Sequence, residues 1–272
     1  RYANLRQPEN NEGAQRLFWY NQLMVSTSRD HAKVGTISSM AQHYGDWKDA
    51  YPFSDSDISK LLNQDKSKVA TAKNLQDVPS AEYLINAEKV AFSLESHTPE
   101  INAQQRLLMG VFTPKNFLDL IQNFIVYEAE EGRLIKKFAR YQQFRAVKKV
   151  VERLKTGENR KDKSGVVWHT QGSGKSLTMV MLALKMRRDP ILQQYKLVFV
   201  TDRTQLDGQL TKTFVNAQDE TINNAGSVSK LRELLQNDAS DIVTATVQKF
   251  QDAEEEGNFS DLNPSDKIIV LA

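Results

Sequence analysis

The chain has 272 residues, of which 40% are hydrophobic and 26% charged, with a formal net charge of +2; this composition is typical of a globular protein with one large or two modest domains. The absence of cysteine excludes disulfides, cysteine-ligated metals and thiol nucleophiles, and the four scattered histidines form no metal-ligand spacing. No apolar stretch reaches membrane-spanning length and no signal peptide opens the chain, which favours a cytoplasmic setting.

The first fifty residues predict a β-hairpin. Residues 17–25 form an apolar and aromatic run of strand length, residues 28–30 a turn, and residues 33–37 a second short strand. Phe18, Trp19 and Tyr20 could stack on nucleic-acid bases, but so apolar a run is more typical of a strand core. Residues 54–102 are polar and helical in character, and they read as a connector.

Two helices are expected in the middle of the chain. Thr113 is a suitable N-cap for a helix that begins at Pro114, and apolar residues then recur at positions 117, 118, 121, 124 and 125. Helical spacing of apolar residues also predicts one long helix over residues 133–155. Between residues 133 and 163, twelve Lys or Arg face three acids, a local net charge of +9; this block suits either a polyanion or a solvated face.

The strongest motif follows this basic block. Residues 165–168 form an apolar run that predicts a strand, and residues 169–176 (HTQGSGKS) form a loop that leads into a predicted helix at residues 177–186. A strand, a glycine loop and a helix N-terminus in this order predict a phosphate-binding site, in which Lys175 would reach the phosphates and Ser176 would reach Mg²⁺. His169 stands where the full motif has its first glycine. The alternative is a Gly/Ser turn that a lysine follows by chance.

Strands and helices alternate after this loop. Strands are predicted at residues 196–201, 241–246 and 267–271, and helices at residues 204–214 and 228–235. Repeated strand–helix units predict an α/β fold with a parallel sheet covered by helices.

Several segments together resemble one family. These are residues 18–22 (FWYNQ), 34–37 (VGTI), 139–147 (ARYQQFRAV), 167–176 (VWHTQGSGKS), 200–210 (VTDRTQLDGQL) and 244–250 (TATVQKF). In this order they resemble the restriction (R) subunit of type I restriction-modification enzymes, which joins an N-terminal nuclease to a superfamily 2 helicase-type motor. The resemblance covers residues 17–271 and is weakest over residues 54–104.

The resemblance implies a domain organisation. Residues 1–53 would be the C-terminal part of a PD-(D/E)xK-type α/β nuclease domain, residues 54–112 a helical connector, and residues 113–272 a RecA-like P-loop domain that stops before the motor's DEAH motif. The nuclease acids would precede residue 1, so we expect the chain to be a piece of a longer protein. Asp46, Trp47 and Lys48 mimic part of the nuclease signature, but in the family this position is non-catalytic.

The resemblance also implies site residues. Gln143 would contact the adenine of ATP with help from Arg140, although a helix-surface glutamine is the alternative. Lys175 would be the catalytic phosphate ligand and Ser176 the Mg²⁺ ligand. The remaining loop positions that would hold ATP are Thr170, Gly172, Ser173 and Gly174. Arg203, Gln205 and Thr246 would contact the DNA backbone, although a helix-capping role accounts equally well for Thr246.

By resemblance, the parent protein hydrolyses ATP to pull double-stranded DNA past a modification (methyltransferase) and specificity core, and then cuts it. The piece itself, lacking the DEAH acids, is expected to bind ATP weakly and not to hydrolyse it. Two alternatives stay open: a superfamily 2 translocase or helicase without nuclease activity, and a docking module for the modification subunits.

Overall fold

The computed structural model describes residues 18, 20–39, 41–61, 100–130, 133–201, 222–255 and 263–272. The described residues divide into two compact units. One consists of residues 25–34 and 45–117, and the other of residues up to 24, residues 35–44 and residues from 118 onward. Within the described parts, no helix has the length and apolar character needed to cross a bilayer.

The smaller unit is built on a short sheet. Strands β1 (Met24–Thr27), β2 (Ala32–Gly35) and β3 (Gly45–Asp46) lie in the order β1-β2-β3, and β2 and β3 are antiparallel. Residues 55–61 are helical, and helix α1 (Ala103–Phe112) begins at Asn102, whose side chain accepts from the Gln105 N–H at 3.0 Å. The predicted hairpin of two adjacent strands is therefore confirmed.

The predicted start of the first strand was wrong. The strand begins at Met24, and the described residues before it form a turn in which the Asn21 N–H donates to the Phe18 carbonyl at 3.0 Å. Tyr20 is 88% exposed. An apolar run is compatible with a strand, but here a local hydrogen bond closes a turn instead.

The larger unit contains a β-ribbon that the sequence pattern did not predict. Helix α2 (Pro114–Asn123) begins at the expected proline, but β4 (Ile125–Glu130) and β5 (Arg133–Phe138) then pair antiparallel over six residues each. The predicted helix over residues 133–155 therefore begins only at Tyr141, as α3 (Tyr141–Thr156). The Thr36 hydroxyl donates to the Lys136 carbonyl at 2.6 Å, so tertiary contacts also hold this ribbon.

The predicted apolar face of α2 was also partly wrong. Leu118 is 65% exposed, whereas Leu120 and Phe124 are fully buried. Because α2 ends at Asn123, Ile125 belongs to β4 and does not continue the helical face.

The larger unit contains the predicted parallel sheet. Strands β6 (Lys196–Thr201), β7 (Ile222–Asn224), β8 (Ile242–Thr246) and β9 (Ile268–Leu271) lie in the order β7-β8-β6-β9 and all pair in parallel. The accompanying helices are α3, the short α4 (Arg160–Lys163), α5 (Lys175–Arg188), α6 (Val228–Gln236) and α7 (Val247–Glu255). The predicted α/β fold with a helix-flanked parallel sheet is confirmed. The helix predicted at residues 204–214 lies outside the described residues.

Helix α5 is fixed against α2 and α3 by charge and by aromatic packing. Asp119 of α2 accepts from Lys185 of α5 at 2.5 Å and lies 3.6 Å from the Lys148 ammonium of α3. The rings of Phe124 and Phe144 pack edge to face beneath this cluster, with centroids 4.9 Å apart. At the other end, Lys155 of α3 donates to Asp189, the C-cap residue of α5, at 2.8 Å. These contacts set the position of the helix whose N-terminus forms the site described next.

Candidate functional site

The segment that leads into the loop is not a strand. Residues 164–170 form neither a helix nor a strand, and the Val166 and Trp168 side chains are 92% and 90% exposed. The prediction of a strand at residues 165–168 was therefore wrong. An apolar run becomes a strand only when a neighbouring strand satisfies its backbone groups, and among the described residues β9 pairs with β6 alone.

The loop itself has the backbone that the glycine pattern predicts. Gly172 and Gly174 have φ values of +74° and +82°, which residues with a Cβ rarely adopt. Between them, Ser173 is buried, and its hydroxyl donates to the Thr170 carbonyl at 2.7 Å. The Ser173 N–H donates to the same carbonyl at 3.3 Å. The loop is therefore a closed turn that the two glycines make possible.

Helix α5 starts directly at this turn. Gly174 is its N-cap and its carbonyl accepts from the Thr178 N–H at 3.0 Å. The N–H groups of residues 175–177 precede this first helical hydrogen bond, so they have no acceptor within the helix. The first turn carries no acidic residue. This end of a 14-residue helix therefore presents free N–H donors and the positive end of the helix dipole.

Lys175 and Ser176 lie in the first turn of α5. Lys175 is exposed and forms no ion pair with any residue that the structure describes, and Ser176 is half-buried. An ammonium group without a carboxylate partner, beside free N–H donors, is suited to binding an anion. The phosphate groups of a nucleotide would accept hydrogen bonds from these N–H groups and would pair with this ammonium group.

Gln143 is brought to this loop from α3. The side chain is 2% exposed, and its Nε2 donates to the carbonyls of Ser173 at 3.3 Å and Gly174 at 3.0 Å. Its Oε1 accepts from the Arg140 main-chain N–H at 2.8 Å, while the Arg140 side chain is exposed. The sequence predicted Gln143 as a site residue, but no sequence signal indicated this contact with the loop backbone.

The residues predicted to contact DNA are only partly described. Thr246 ends β8, is 5% exposed, and lies opposite Thr201 at the end of β6. It therefore occupies the C-terminal edge of the sheet, where ligands of open α/β folds bind. Arg203 and Gln205 lie outside the described residues, so the DNA-contact set stays a prediction.

The basic block at residues 133–163 does not form one free face. Lys137 contacts Glu128, Lys148 lies near Asp119, and Lys155 pairs with Asp189. Lys136 is 8% exposed and donates to the Asn21 carbonyl and to Gln22, and burial lowers the pKa of Lys136. Part of the predicted positive charge is therefore used within the fold.

Other candidate sites are less developed among the described residues. No group of three or more His, Asp or Glu side chains in that part of the chain could hold a metal ion. In the Asp46-Trp47-Lys48 segment, Trp47 is 2% exposed and Asp46 lies on the surface, 4.0 Å from Lys33. Ser176 thus stays the predicted Mg²⁺ ligand, in combination with a bound nucleotide.

Comparisons with known proteins relate the chain to an ATPase family and to restriction enzyme subunits. Residues 142–272 match the SWI2/SNF2 ATPase family. The chain is 33% identical over 263 residues to the type I restriction enzyme HindI endonuclease subunit of Haemophilus influenzae, which covers 94% of this chain. This chain is also 36% identical to a Methanocaldococcus jannaschii protein provisionally named the type I restriction enzyme MjaIXP endonuclease subunit. That match covers 171 residues, which is 61% of this chain.

More distant relatives have the same kind of name. The type I restriction enzyme SauCOLORF180P endonuclease subunit of Staphylococcus aureus is 25% identical over 56% of this chain. The chain spans about a fifth or less of these relatives: the matches cover 21% of the HindI subunit and 16% of each of the other two. The chain is therefore a relative of the endonuclease (R) subunits of type I restriction enzymes, and its residues from 142 onward match the SWI2/SNF2 ATPase family.

Proposed function

We propose that this chain is part of the ATP-dependent, DNA-translocating and DNA-cleaving subunit of a type I restriction endonuclease. The observation that carries the proposal is the loop at residues 170–176, in which two positive-φ glycines lead into a helix N-terminus whose lysine forms no ion pair with any described residue. The HindI match supports the restriction function over a translocase without nuclease activity, because it covers 94% of the chain and so extends beyond the ATPase match.

The loop fits the triphosphate of ATP. The N–H groups at the start of α5 would donate to phosphate oxygens, the Lys175 ammonium would neutralise their charge, and the Ser176 hydroxyl would be a ligand of the accompanying Mg²⁺. A Cβ at position 172 would meet no atom within 4 Å, so the space beside this glycine is open. When bound, Mg²⁺-ATP would supply the free energy for movement along DNA.

We propose partners on the same basis. The substrate would be double-stranded DNA, contacted in part by Arg203, Gln205 and Thr246 at the C-terminal edge of the sheet. The modification (methyltransferase) and specificity subunits would hold the recognition site. The proposed domains are those predicted above, with the nuclease segment over residues 1–53, the connector over 54–112 and the motor segment over 113–272.

Substitution of Lys175 tests this function. In the intact protein, assembled with modification and specificity subunits, we expect Lys175→Ala to lower the DNA-dependent ATPase rate by about 100-fold, because it removes a charged group from the phosphates. Lys230→Ala is the matched control, because Lys230 is an exposed lysine of α6 whose ion pair, among the described residues, is with the neighbouring Glu233. Equal ATPase and DNA-cleavage rates in the two variants would refute the proposed role of the loop.

A further inference from the structure

Two hydroxyl groups cover the edge of strand β5 that faces away from β4. Lys136 of β5 lies opposite Tyr127 of β4, but its main-chain groups bond on the other side of the strand. The Lys136 N–H donates to the Ser38 hydroxyl at 2.8 Å, and the Lys136 carbonyl accepts from the Thr36 hydroxyl at 2.6 Å. Thr36 is fully buried. These hydroxyl groups satisfy backbone groups that would otherwise need a third strand.

The Lys136 side chain binds a second segment. Its ammonium donates to Gln22 Oε1 at 2.8 Å and to the Asn21 carbonyl at 3.3 Å. Lys136 is 8% exposed and pairs with no carboxylate that the structure describes, and burial lowers its pKa. Because a buried ammonium without a carboxylate costs free energy, its hydrogen bonds to residues 21 and 22 are what offset that cost. All polar groups of Lys136 thus hold two segments that lie about a hundred positions earlier in the chain.

Both segments belong to motifs that the proposed ATP site does not use. Asn21 and Gln22 end the motif at residues 18–22, and Thr36 belongs to the motif at residues 34–37. Both motifs lie in the proposed nuclease segment, whereas Lys136 lies in the proposed motor segment. Residues 21, 22, 36, 38 and 136 are all part of the larger compact unit. Lys136 therefore connects the end of one proposed segment to the other.

Strand β5 is itself fixed to the elements that carry the ATP loop. Ala139, directly after β5, is buried, and its N–H donates to the Phe124 carbonyl at 3.0 Å. Helix α3 begins two residues later, at Tyr141. Among the described residues, no hydrogen bond of Lys136 involves the loop at residues 170–176. Loss of the Lys136 ammonium should therefore release residues 21–22 and leave the loop unchanged.

We propose that Lys136 is a positioning residue for DNA cleavage: it fastens residues 21–22 and 36–38 to strand β5, and so holds the proposed nuclease segment on the motor segment. This inference rests on the proposed function and on its division into these segments. A nuclease that is held loosely loses the placement of its acids on the DNA, and small misplacements of reacting groups lower rates strongly. ATP hydrolysis does not depend on this placement.

The test compares DNA cleavage with DNA-dependent ATP hydrolysis in the intact protein, assembled with modification and specificity subunits. Lys136→Met keeps the length of the side chain and removes the ammonium. We expect the cleavage rate to fall by about tenfold or more, with an unchanged ATPase rate. A purely structural role would lower both rates together, so the ratio of the two rates is the decisive readout. Melting temperatures identify any variant that fails to fold.

Two substitutions of Gln22, which is exposed and so tolerates change, keep the test valid if Lys136→Met does not fold. Gln22→Leu removes the oxygen that accepts from the ammonium and should lower cleavage with an unchanged ATPase rate. Gln22→Glu replaces that oxygen by a carboxylate, which accepts the same hydrogen bond and adds an opposite charge. This variant should cleave DNA at the rate of the unaltered protein.

Lys137→Met is the matched control. Lys137 is the next residue of β5, so its side chain lies on the opposite face of the strand, where it pairs with Glu128 of β4. Its substitution should leave both rates unchanged. Unchanged cleavage in Lys136→Met and Gln22→Leu would overturn the inference, and so would an equal fall of both rates. If the unaltered protein cuts no DNA with ATP present, the proposed function itself is refuted, and this inference with it.

Discussion

Gly172 and Gly174 have almost the same φ, +74° and +82°, but different surroundings. A Cβ at Gly172 would enter open space, whereas one at Gly174 would displace the Gln143 amide. Substitution of these two glycines by alanine therefore separates the cost of a left-handed backbone, present at both positions, from the cost of a lost contact, present at Gly174.

We expect Gly172→Ala to destabilise the chain by about 1 kcal/mol, the usual cost of a left-handed conformation for a residue with a Cβ. Gly174→Ala should cost about 2 kcal/mol or more, because it also breaks the two hydrogen bonds from Gln143, each worth about 1 kcal/mol. Urea unfolding of both variants measures the difference.

A double-mutant cycle provides the control. In a Gln143→Ala background the hydrogen bonds are already absent, so the extra cost of Gly174→Ala should largely disappear. If the two glycine substitutions cost the same in both backgrounds, the contact between Gln143 and the loop contributes nothing to stability.

Individual site residues could be predicted from the sequence where they belong to one contiguous motif. Lys175 and Ser176 could be predicted because glycines, lysine and serine follow one another in eight residues. The contact between Gln143 and Ser173 spans 30 positions, and it depends on how α3 packs against α5, which no local pattern encodes.

Helix α1 contains a glycine that allows close packing, whereas a glycine inside a helix usually lowers its stability. Gly110 lies inside this helix, and a Cβ there would lie 2.5 Å from the Asp49 carbonyl oxygen and from the Trp47 indole nitrogen. The absence of a side chain lets α1 approach the segment after β3 closely.

Gly110→Ala should therefore destabilise the smaller unit by at least about 2 kcal/mol, in the range of overpacked cores. In an ordinary exposed helix interior the same change stabilises by about 1 kcal/mol. The test is therefore whether the substitution lowers or raises the free energy of unfolding. The thermal unfolding of the variant, followed by the fluorescence of the buried Trp47, measures it. A rise in stability would show that α1 does not lie this close to residues 47–50.

The contact between the ends of α3 and α5 makes a prediction about pH. Burial acts to raise the pKa of Asp189, but hydrogen bonds from Lys155 and from the Ile191 and Leu192 N–H groups outweigh it and hold the pKa below its usual value. A carboxyl whose pKa is lowered by folding stabilises the protein above its unfolded pKa of about 3.9 and loses this effect as the pH falls through the folded value.

We therefore expect Asp189→Asn to be less stable than the unaltered chain by a constant amount between pH 5 and 8. Below about pH 4 the difference should shrink, because the native carboxyl becomes protonated as well. Unfolding by urea across this pH range measures it, with Asp238→Asn, at an exposed position, as the control. A difference that persists unchanged at pH 2 would contradict the assigned contacts.

The elements could be predicted where one pattern dominated. The buried strands β6 (KLVFVT) and β8 (IVTAT) are rich in apolar and β-branched residues, and the sequence placed both within one residue. Strand β5 was taken for helix because Leu134, Phe138 and Tyr141 follow at three- or four-residue spacing, which a helix also shows. Six-residue pairing with β4 overrides that spacing.

For the whole molecule, alternation of strands and helices was sufficient to predict a parallel sheet. It did not predict the order β7-β8-β6-β9, because the order depends on which buried faces the helices cover. Nor did it predict that residues 45–117 group with residues 25–34, since such grouping results from tertiary packing between segments far apart in sequence.

The two described tryptophans lie at opposite extremes of exposure, Trp47 at 2% and Trp168 at 90%. Trp168 lies four residues before Gly172, so the chain carries an intrinsic fluorophore next to the proposed phosphate loop. The test uses a Trp19→Phe form of the 272-residue chain, so that the fluorescence comes from Trp47 and Trp168. Acrylamide should quench the red-shifted emission of the exposed Trp168, and Trp168→Phe should remove this emission. The blue-shifted emission of the buried Trp47 should resist quenching by acrylamide. Emission from Trp168 that resists acrylamide would mean that residues 164–170 are covered. If acrylamide does quench Trp168, the binding of tripolyphosphate can be followed by the fluorescence of this residue, without labelling the protein or the ligand.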